Sequence, residues 1–463
     1  MATRGVPPEQ CPGRFHQDEA VGISPRGLPR ALDLGGLLEP LAHRGVSLGL
    51  SRLKQALPAL GHPEQCFPAV QIAGTNGKGS ICTLLAAVLT AAGVRVGVYT
   101  SPHLVSWRER IRVGPSWIPA NRLRQLLLQV NAAAAEARLT PFEALTAVAF
   151  RHFAEQGVEL AILEVGLGGR LDATTSHPDR QLIGFASIGM DHCEYLGSDL
   201  ESIAAEKAAV LQPGSMAVSA AQHPAVEAVL AGVASQASAT LRRVEPLALQ
   251  EGRLLWRNRA LHCGLPGQVQ RHNGAVALGL LEALGERGWP ISTTAIELGF
   301  AAARWPGRLQ AGRHQGLPLL LDGAHNPAAA AALRAELDRQ PGPVDWLVGV
   351  LANKDAAAMV SRLLRPQDRL LLLPVPGHAC WTRQALLEAL AGQGHRVPAG
   401  QIREISPDPA AVPAILPRAL DLLRQSWGGS GAAVDMTGRR TVVAGSLYLL
   451  GNLMADGAVE TQP

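Results

Sequence analysis

One glycine-rich segment has the residue types and spacing of a phosphate-binding loop. It consists of Gly74, Thr75, Asn76, Gly77, Lys78, Gly79 and Ser80. It follows an apolar, strand-like run and opens a helical pattern, so its backbone N–H groups and the N-terminus of the helix would face phosphate oxygens. Lys78 would neutralise the outer phosphates of a nucleotide. The pattern departs from the common phosphate loop, because Ile72 replaces the first glycine and Gly79 separates the lysine from the hydroxyl residue. A tight glycine turn without a ligand is the alternative.

Three further apolar runs end on side chains that could hold a metal ion. Glu164 follows "LAIL", Asp191 and His192 follow "FASIG", and Ser101 lies in "YTSPHL". Mg²⁺ prefers hard oxygen ligands and is often shared with phosphate groups. Each position taken singly is more typical of a solvated loop. Together, on the sheet that carries the glycine-rich loop, they favour a magnesium site.

Lysine is rare in this chain, so its positions are informative. Of the 42 basic residues only four are lysines, namely Lys54, Lys78, Lys207 and Lys354. Arginine cannot be deprotonated, so a retained lysine is a candidate for chemistry that needs a compact ammonium or a neutral amine. Lys207 lies on a helical pattern near Glu201 and Glu206. It could form a surface ion pair with either of them, or react as a neutral amine with CO₂ to form a carbamate.

Two loops in the second half of the chain also follow apolar strands. "LDGAHNP" brings Asp322, His325 and Asn326 to the end of one strand, and His325 is a catalytic candidate. "GVLANKD" resembles the guanine-reading NKxD motif of GTPases. It does not match that motif, because Ala356 occupies the fourth position. The sequence therefore favours chemistry at these strand ends without predicting guanine recognition.

The elements that carry these residues alternate between strand and helix patterns. This alternation predicts an α/β fold, with a doubly wound and mostly parallel sheet in the N-terminal domain and a smaller Rossmann-like C-terminal domain. A weaker strand-rich stretch spans about residues 217–265. We expect a disordered extension over residues 1–30, a phosphate-binding domain over 31–310 and a second, smaller domain over 311–463.

Composition excludes several classes of protein. The chain has 463 residues, of which 17% are charged, and a formal net charge of only +4, without a run of like charges that would favour nucleic acid or a membrane surface. The six cysteines form no CxxC pair, and nothing before Leu28 has the apolar core of a secretion signal. We therefore expect a cytoplasmic protein with small-molecule substrates, without nucleic-acid or membrane partners.

The motifs in their order along the chain resemble those of the folylpolyglutamate synthase and dihydrofolate synthase family, within the Mur ligase superfamily. The resemblance runs from about residue 46 to residue 450 and is carried by "AGTNGKGS", "YTSPHL", "RERIRV", "TPFEAL", "LEVGLGGRLDATT", "MDHCEYLG", "EKAAVLQPG", "PGRLQ", "DGAHNP" and "GSLYLLG". Cys193 after His192, and Thr175 where the family usually has Asn, are minor departures.

The resemblance implies an ATP-dependent, magnesium-requiring ligase that joins L-glutamate to dihydropteroate or a folate through an acyl phosphate. By motif match, Ser101, Glu164 and His192 would bind Mg²⁺. Lys207 would be carbamylated and would help to hold a second metal ion. ATP would be contacted by the glycine-rich loop and by Asn273, Arg308 and Asp322. The resemblance further implies that residues 31–310 form an ATP-binding domain of the Mur ligase type with the pterin site, and that residues 311–463 form the glutamate ligase domain. A monomer is the family expectation.

The pterin side of the site is also implied by motif match. The matching positions are Val46, Ser47, Leu48, Thr140, Leu171, Asp172 and Ala173. Two alternatives are a cell-wall Mur ligase, which would normally carry an extra N-terminal domain, and a non-catalytic nucleotide-binding module, which would not need the second domain. The sequence does not say whether the first glutamate, later ones or both are added.

Overall fold

The computed structural model describes residues 27–38, 47–398, 400–405, 415–424 and 438–461. The disordered extension expected for residues 1–30 falls mostly outside this part of the chain, and so does the expected pterin contact Val46. None of the helices in the described residues is both long and apolar enough to span a membrane.

The α-helices are given by their residue ranges. They span Ser51–Ala56, Lys78–Ala91, Ala120–Ala133, Pro141–Glu155, Cys193–Leu196, Leu200–Ala208, Pro224–Gln236, Gln270–Glu286, Thr293–Ala302, Pro327–Asp338, Ala356–Leu363, Arg383–Gly392, Ile415–Arg424 and Leu447–Ala455. Short 3₁₀ helices span Gly35–Leu37, Pro58–Leu60, Pro63–Gln65, Trp107–Arg110 and Ala173–Ser176.

The strands are numbered in chain order. They are β1 (Ala69–Ala73), β2 (Val96–Tyr99), β3 (Ile111–Val113), β4 (Ser116–Trp117), β5 (Leu160–Glu164), β6 (Arg180–Phe185), β7 (Met216–Ala220), β8 (Thr240–Val244), β9 (Ala248–Gln250), β10 (Arg253–Trp256), β11 (Arg259–Leu261), β12 (Gln310–His314), β13 (Leu317–Leu321), β14 (Val344–Val348), β15 (Arg369–Leu372), β16 (Ile402–Glu404), β17 (Arg440–Ala444) and β18 (Glu460–Thr461).

The chain divides into two compact units, the first formed by Met1–Leu265 with Val269–Trp305, and the second by Pro266–Gln268 with Pro306–Pro463. The main sheet of the first unit has the order β4-β3-β2-β5-β1-β6-β7-β8. Within this order, the strands β2-β5-β1-β6-β7-β8 are all parallel to one another. Strands β3 and β4 pair antiparallel at one edge of the sheet. Strand β1 is buried along its whole length, as expected for a parallel strand covered by helices on both faces.

Two features of the first unit were not predicted in detail. The strand-rich stretch contains the Pro224–Gln236 helix, followed by a small antiparallel sheet of order β11-β10-β9. The charged segment "RERIRV" forms a 3₁₀ turn and strand β3, whose Arg112 is buried. Charged residues normally indicate a surface loop, so periodicity alone could not identify this edge.

The second unit is built on a seven-stranded sheet of order β16-β15-β14-β17-β13-β12-β18. Strands β13 to β17 run parallel where they pair, whereas β12 pairs antiparallel with β13 and β18. Its own core includes Trp346, Met359 and Leu386. The predicted fold class, a doubly wound sheet followed by a smaller Rossmann-like α/β unit, is confirmed.

Candidate active site

The glycine-rich loop connects β1 to the helix that begins at Lys78. Gly77 has φ +98°, and a Cβ added there would lie 2.2 Å from Oδ1 of Asn273. Gly74 has φ +137° and a similarly close approach to Ala186. Both positions therefore require glycine. The contact at Gly77 brings Asn273, on the Gln270–Glu286 helix, against the loop.

The backbone N–H groups of the loop divide into two sets. Those of Thr75 and Asn76 donate to the carbonyl of Ser187 at 2.7 and 3.1 Å. The expectation that the whole loop points its N–H groups at phosphate is therefore too broad. The helix begins at Lys78, so the groups that an anion can use are those of its first turn. Lys78 Nζ donates to the carbonyls of Gly74 and Thr75 at 3.2 and 3.1 Å.

The candidate metal ligands follow neighbouring strands. Strands β2, β5, β1 and β6 are adjacent and parallel, so their carboxyl ends lie at the same end of the sheet. At or after these ends come, in the same order, Ser101, Glu164, the glycine-rich loop and His192. The backbone N–H of Ser101 donates to Glu164 Oε2 at 3.1 Å, and the backbone N–H of His192 donates to Asp191 Oδ1 at 3.0 Å. No group of three or more His, Cys, Asp or Glu side chains in the described residues forms a metal site by itself.

Lys207 lies near the end of the Leu200–Ala208 helix and is only 5% exposed. Burial, and secondly the charge of Lys78, lower the pKa of Lys207 to about 7, against the opposing charges of Asp191 and Asp172. Glu206, one of its two expected surface partners, instead pairs with Arg170 at 2.8 Å. These contacts favour a reactive amine over a surface ion pair.

The loop after β5 packs against the same helix. A Cβ added to Gly169 would lie 2.8 Å from the carbonyl oxygen of Glu206. Farther along the loop, Asp172 is buried, and its two carboxylate oxygens accept hydrogen bonds from the N–H groups of Gly166, Leu167 and Thr174 and from the Thr174 hydroxyl. The Asp172 side chain therefore shapes the loop around Leu171 and Ala173.

A buried polar network under this loop was missed by the sequence argument. Gln71, in the middle of β1, donates to the hydroxyls of Thr174 and Thr175, both at 2.9 Å, and accepts from Arg180 at 2.7 Å. Thr175 also donates to the carbonyl of Gly169 at 2.8 Å. A glutamine inside the apolar run "AVQIA" was the available signal, because a buried amide needs partners.

Within the second unit, Asp322 follows β13. Its carboxylate accepts from the N–H groups of Leu309 and Ala324, both at 2.9 Å. Burial raises the pKa of Asp322, and the charge of Arg308 opposes that shift. Arg308 lies over Gly323, where a Cβ would meet its guanidinium at 2.1 Å. These contacts bring Arg308 and Asp322 together.

His325 has a defined tautomer. Its Nδ1 lies 2.8 Å from the carbonyl oxygen of Gly323. A carbonyl oxygen only accepts hydrogen bonds, so in the neutral ring Nδ1 carries the proton and Nε2 is the acceptor. Asn326, the next residue, caps the Pro327–Asp338 helix. The side chain of Asn326 is therefore structural, whereas His325 can accept a proton.

Two family models match the chain. The Mur ligase middle domain matches residues 72–245, and the dihydrofolate synthetase C-terminal domain matches residues 308–375. The dihydrofolate synthase/folylpolyglutamate synthase of Escherichia coli (strain K12) is 33% identical over 430 residues, which cover 90% of this chain and 93% of that protein.

Solved structures agree with these matches. A structure of Escherichia coli FolC in complex with DHPP and ADP is 30% identical, has a TM-score of 0.73 and covers 90% of this chain and 97% of that chain. A bifunctional folylpolyglutamate synthase/dihydrofolate synthase with Mn, AMPPNP and L-glutamate bound is 32% identical, also with a TM-score of 0.73, and covers 90% of this chain and 95% of that chain.

Proposed function

The chain belongs to the dihydrofolate synthase and folylpolyglutamate synthase family, and from that premise we propose that it joins L-glutamate to dihydropteroate and to reduced folates, using ATP. It is a ligase that forms carbon–nitrogen bonds. The observation that carries the proposal is the convergence of Lys78, Glu164 and the buried Lys207 at one region of the first unit. The cell-wall ligase and the non-catalytic module are less favoured, because the similarity to a folate ligase extends over 90% of this chain.

The reaction needs no protein nucleophile. The substrate carboxylate attacks the γ-phosphorus of ATP, ADP leaves, and an acyl phosphate forms. The amino group of glutamate then attacks the acyl carbon, the tetrahedral intermediate expels phosphate, and the amide remains. Lys78 and the N-terminal turn of its helix stabilise the negative charge on the phosphates. His325 Nε2 accepts a proton from the attacking amine.

The site residues fit a divalent cation, which we propose is Mg²⁺. Glu164 supplies a carboxylate at a strand end, and its hydrogen bond from Ser101 holds two of the proposed ligand positions together. Ser101, Glu164 and His192 would hold the ion. When bound, Mg²⁺ neutralises phosphate charge. We propose that the amine of Lys207 adds to CO₂ and releases one proton, and that the resulting carbamate helps to hold a second ion.

We propose the following contacts with ATP and the pterin. Asn273, Arg308 and Asp322 contact ATP, together with residues 74–80. The pterin is contacted at residues 46–48, at Thr140 and at residues 171–173. Residues 31–310 form the ATP and pterin domain, and residues 311–463 form the glutamate ligase domain. The enzyme acts as a cytoplasmic monomer without nucleic-acid or membrane partners.

The test is incorporation of labelled glutamate with ATP and Mg²⁺, measured separately with dihydropteroate and with a reduced folate. Turnover with both substrates, with one ADP released per amide, is expected. Lys78→Arg should abolish turnover, because the wider guanidinium does not fit beside Gly77 and Gly79. Absence of wild-type turnover with either pterin would overturn the proposal. Normal turnover of Lys78→Arg would remove the glycine-rich loop from the mechanism.

A further inference from the structure

Arg52 and Glu143 form a connection between two segments that are distant in the sequence. We propose that this pair, here called the Arg52–Glu143 clamp, positions the pterin-carrying substrate by holding residues 47 and 48 near Thr140, the N-cap of the Pro141–Glu155 helix. The inference rests on the proposed function, because that function assigns these residues to the pterin. Neither member of the clamp is proposed to touch the reacting atoms, so both are positioning residues.

The clamp is continuous from one segment to the other. Arg52 Nη2 donates to the backbone carbonyl of Ser47 at 2.6 Å. Its Nε lies 3.1 and 2.9 Å from the two carboxylate oxygens of Glu143, which is 91 residues farther along the chain. Glu143 Oε2 accepts from the backbone N–H of Thr140 at 2.7 Å. Two side chains thus connect Ser47 to Thr140.

Glu143 is fixed independently at the beginning of its helix. It belongs to a capping box, in which the Thr140 hydroxyl accepts from the Glu143 N–H at 3.3 Å while the Glu143 carboxylate accepts from the Thr140 N–H. The Glu143 side chain is 4% exposed and that of Arg52 is 26% exposed. A carboxylate so buried needs a charged partner, so Arg52 is held in place. The position of Ser47 then follows from that of Arg52.

Charge alone does not explain why the partner is arginine. The guanidinium donates from Nε to the carboxylate and from Nη2 to the Ser47 carbonyl, in two directions fixed by its planar geometry. The ammonium of a lysine is a point charge at the end of a flexible chain, and it would neutralise Glu143 without also holding Ser47. Arg52→Lys therefore separates the positioning role from neutralisation of the buried charge.

The same helix contains a matched control. Glu155, near its other end, is also buried and is also held by arginine, with Arg151 Nε donating to its carboxylate at 2.7 Å. Arg151 also donates to a backbone carbonyl, that of Leu60, at 2.9 Å. The two pairs share chemistry, burial and host helix, with the difference that Glu155 also binds Arg122. Only the Arg52–Glu143 clamp ends on residues assigned to the pterin.

The experiment compares Arg52→Lys and Glu143→Gln with Arg151→Lys and Glu155→Gln in the full-length enzyme. We expect the KM for dihydropteroate to be about tenfold higher or more in the clamp variants. This is the effect expected when a preorganised site loses one hydrogen bond to a charged group. KM for ATP should stay within twofold of wild type, and kcat should fall less than KM rises. The control variants should lower Tm to a similar extent without changing KM for dihydropteroate.

The outcomes distinguish the clamp from the proposed function. If both clamp variants have the same KM for dihydropteroate as the wild-type enzyme, and the wild-type enzyme turns dihydropteroate over, the clamp is refuted and the proposed function is not. Equal rises in KM in clamp and control variants would show general loosening of the helix, and would also overturn the clamp. If Arg52→Lys does not fold, Glu143→Gln decides, because its amide can still cap the helix. Absence of wild-type turnover would instead refute the function.

Discussion

Lys207 shows how an individual residue acquires its chemistry from its surroundings. Its amine lies in a buried position where the loss of hydration, and secondly the charge of Lys78, disfavour the ammonium. With a pKa of about 7, the amine is mostly protonated at pH 6 and mostly neutral at pH 8. A carbamate forms only from the neutral amine, so the modification should increase over this range. An arginine in the same position would stay protonated at either pH.

The prediction for Lys207 is that Lys207→Arg is as damaging as Lys207→Ala. Loss of the carbamate should lower kcat by about 100-fold or more in both variants, comparable to removal of one charge-stabilising group from an active site. Acetate should partly restore the Ala variant, because it supplies a carboxylate anion. Labelled bicarbonate followed by ¹³C NMR should detect the carbamate in wild type, more strongly at pH 8 than at pH 6.

Lys54→Arg is the matched control for this prediction, because Lys54 is exposed on the Ser51–Ala56 helix. It should leave kcat unchanged. Wild-type activity in Lys207→Arg, together with no acetate rescue of Lys207→Ala, would contradict the carbamate.

At the scale of elements, the short helix Ala173–Ser176 is followed by His177, whose ring packs against aromatic side chains. The His177 ring is fully buried, with its centroid 5.3 Å from that of Phe67 and 5.5 Å from that of Phe150. Within the described part of the chain, neither ring nitrogen has a hydrogen-bond partner. Burial, and secondly the charge of Arg180, lower the pKa of His177 to about 3, against a smaller opposing effect of the Phe67 backbone.

His177 should therefore make the protein sensitive to acid. Its ordinary pKa of 6.5 applies to the unfolded chain, and the folded value is about 3. Between these values the unfolded state binds the extra proton, so the free energy of unfolding decreases as the pH falls from 6.5 toward 3. His177→Phe should remove this contribution and reduce the drop in Tm between pH 7 and pH 5. It also removes two unsatisfied polar atoms, whose burial costs about 1–3 kcal/mol.

Thermal unfolding at several pH values checks this prediction. His262→Phe is the control, because His262 is exposed and the same substitution there should leave the pH dependence of Tm as in wild type. An unchanged drop in Tm for His177→Phe would mean that other groups account for the acid sensitivity.

At the scale of the whole molecule, the N-terminal region contributes to the core of the first unit. Leu34 and Leu38 are 5% and 7% exposed and belong to the same apolar cluster as Leu53 and Phe150. Arg124 and Asn131, on the Ala120–Ala133 helix, donate to backbone carbonyls of this segment, both at 2.9 Å. The segment 27–38 is thus part of the folded unit.

Two truncations should therefore differ. Residues 1–26 are rich in proline, glycine and charge, so removing them should leave Tm and activity nearly unchanged. Removing residues 1–38 also removes two buried leucines and should cost about 3 kcal/mol or more, with a clear decrease in Tm. Differential scanning calorimetry measures both. Equal Tm values for the two truncations would contradict the packing of residues 27–38, and a large loss on removing only residues 1–26 would contradict the composition argument.

Local patterns were sufficient to predict the strands and loops that carry the candidate active site. The glycine-rich loop between β1 and its helix, the carboxylate of Glu164 at a strand end and the α/β class all follow from periodicity, glycine spacing and residue type. These features depend on neighbours in the sequence. Asp322 and His325 directly after β13 were predicted on the same basis.

Only the tertiary structure decided which of these elements lie side by side. The order β2-β5-β1-β6 inserts β5 between two strands that follow each other in the chain, and so brings Ser101 beside Glu164. The burial of Lys207, the amide network of Gln71 and the Arg52–Glu143 clamp arise in the same way. Strand order, burial and paired charges depend on packing between segments far apart in the sequence, and local periodicity contains no information about that packing.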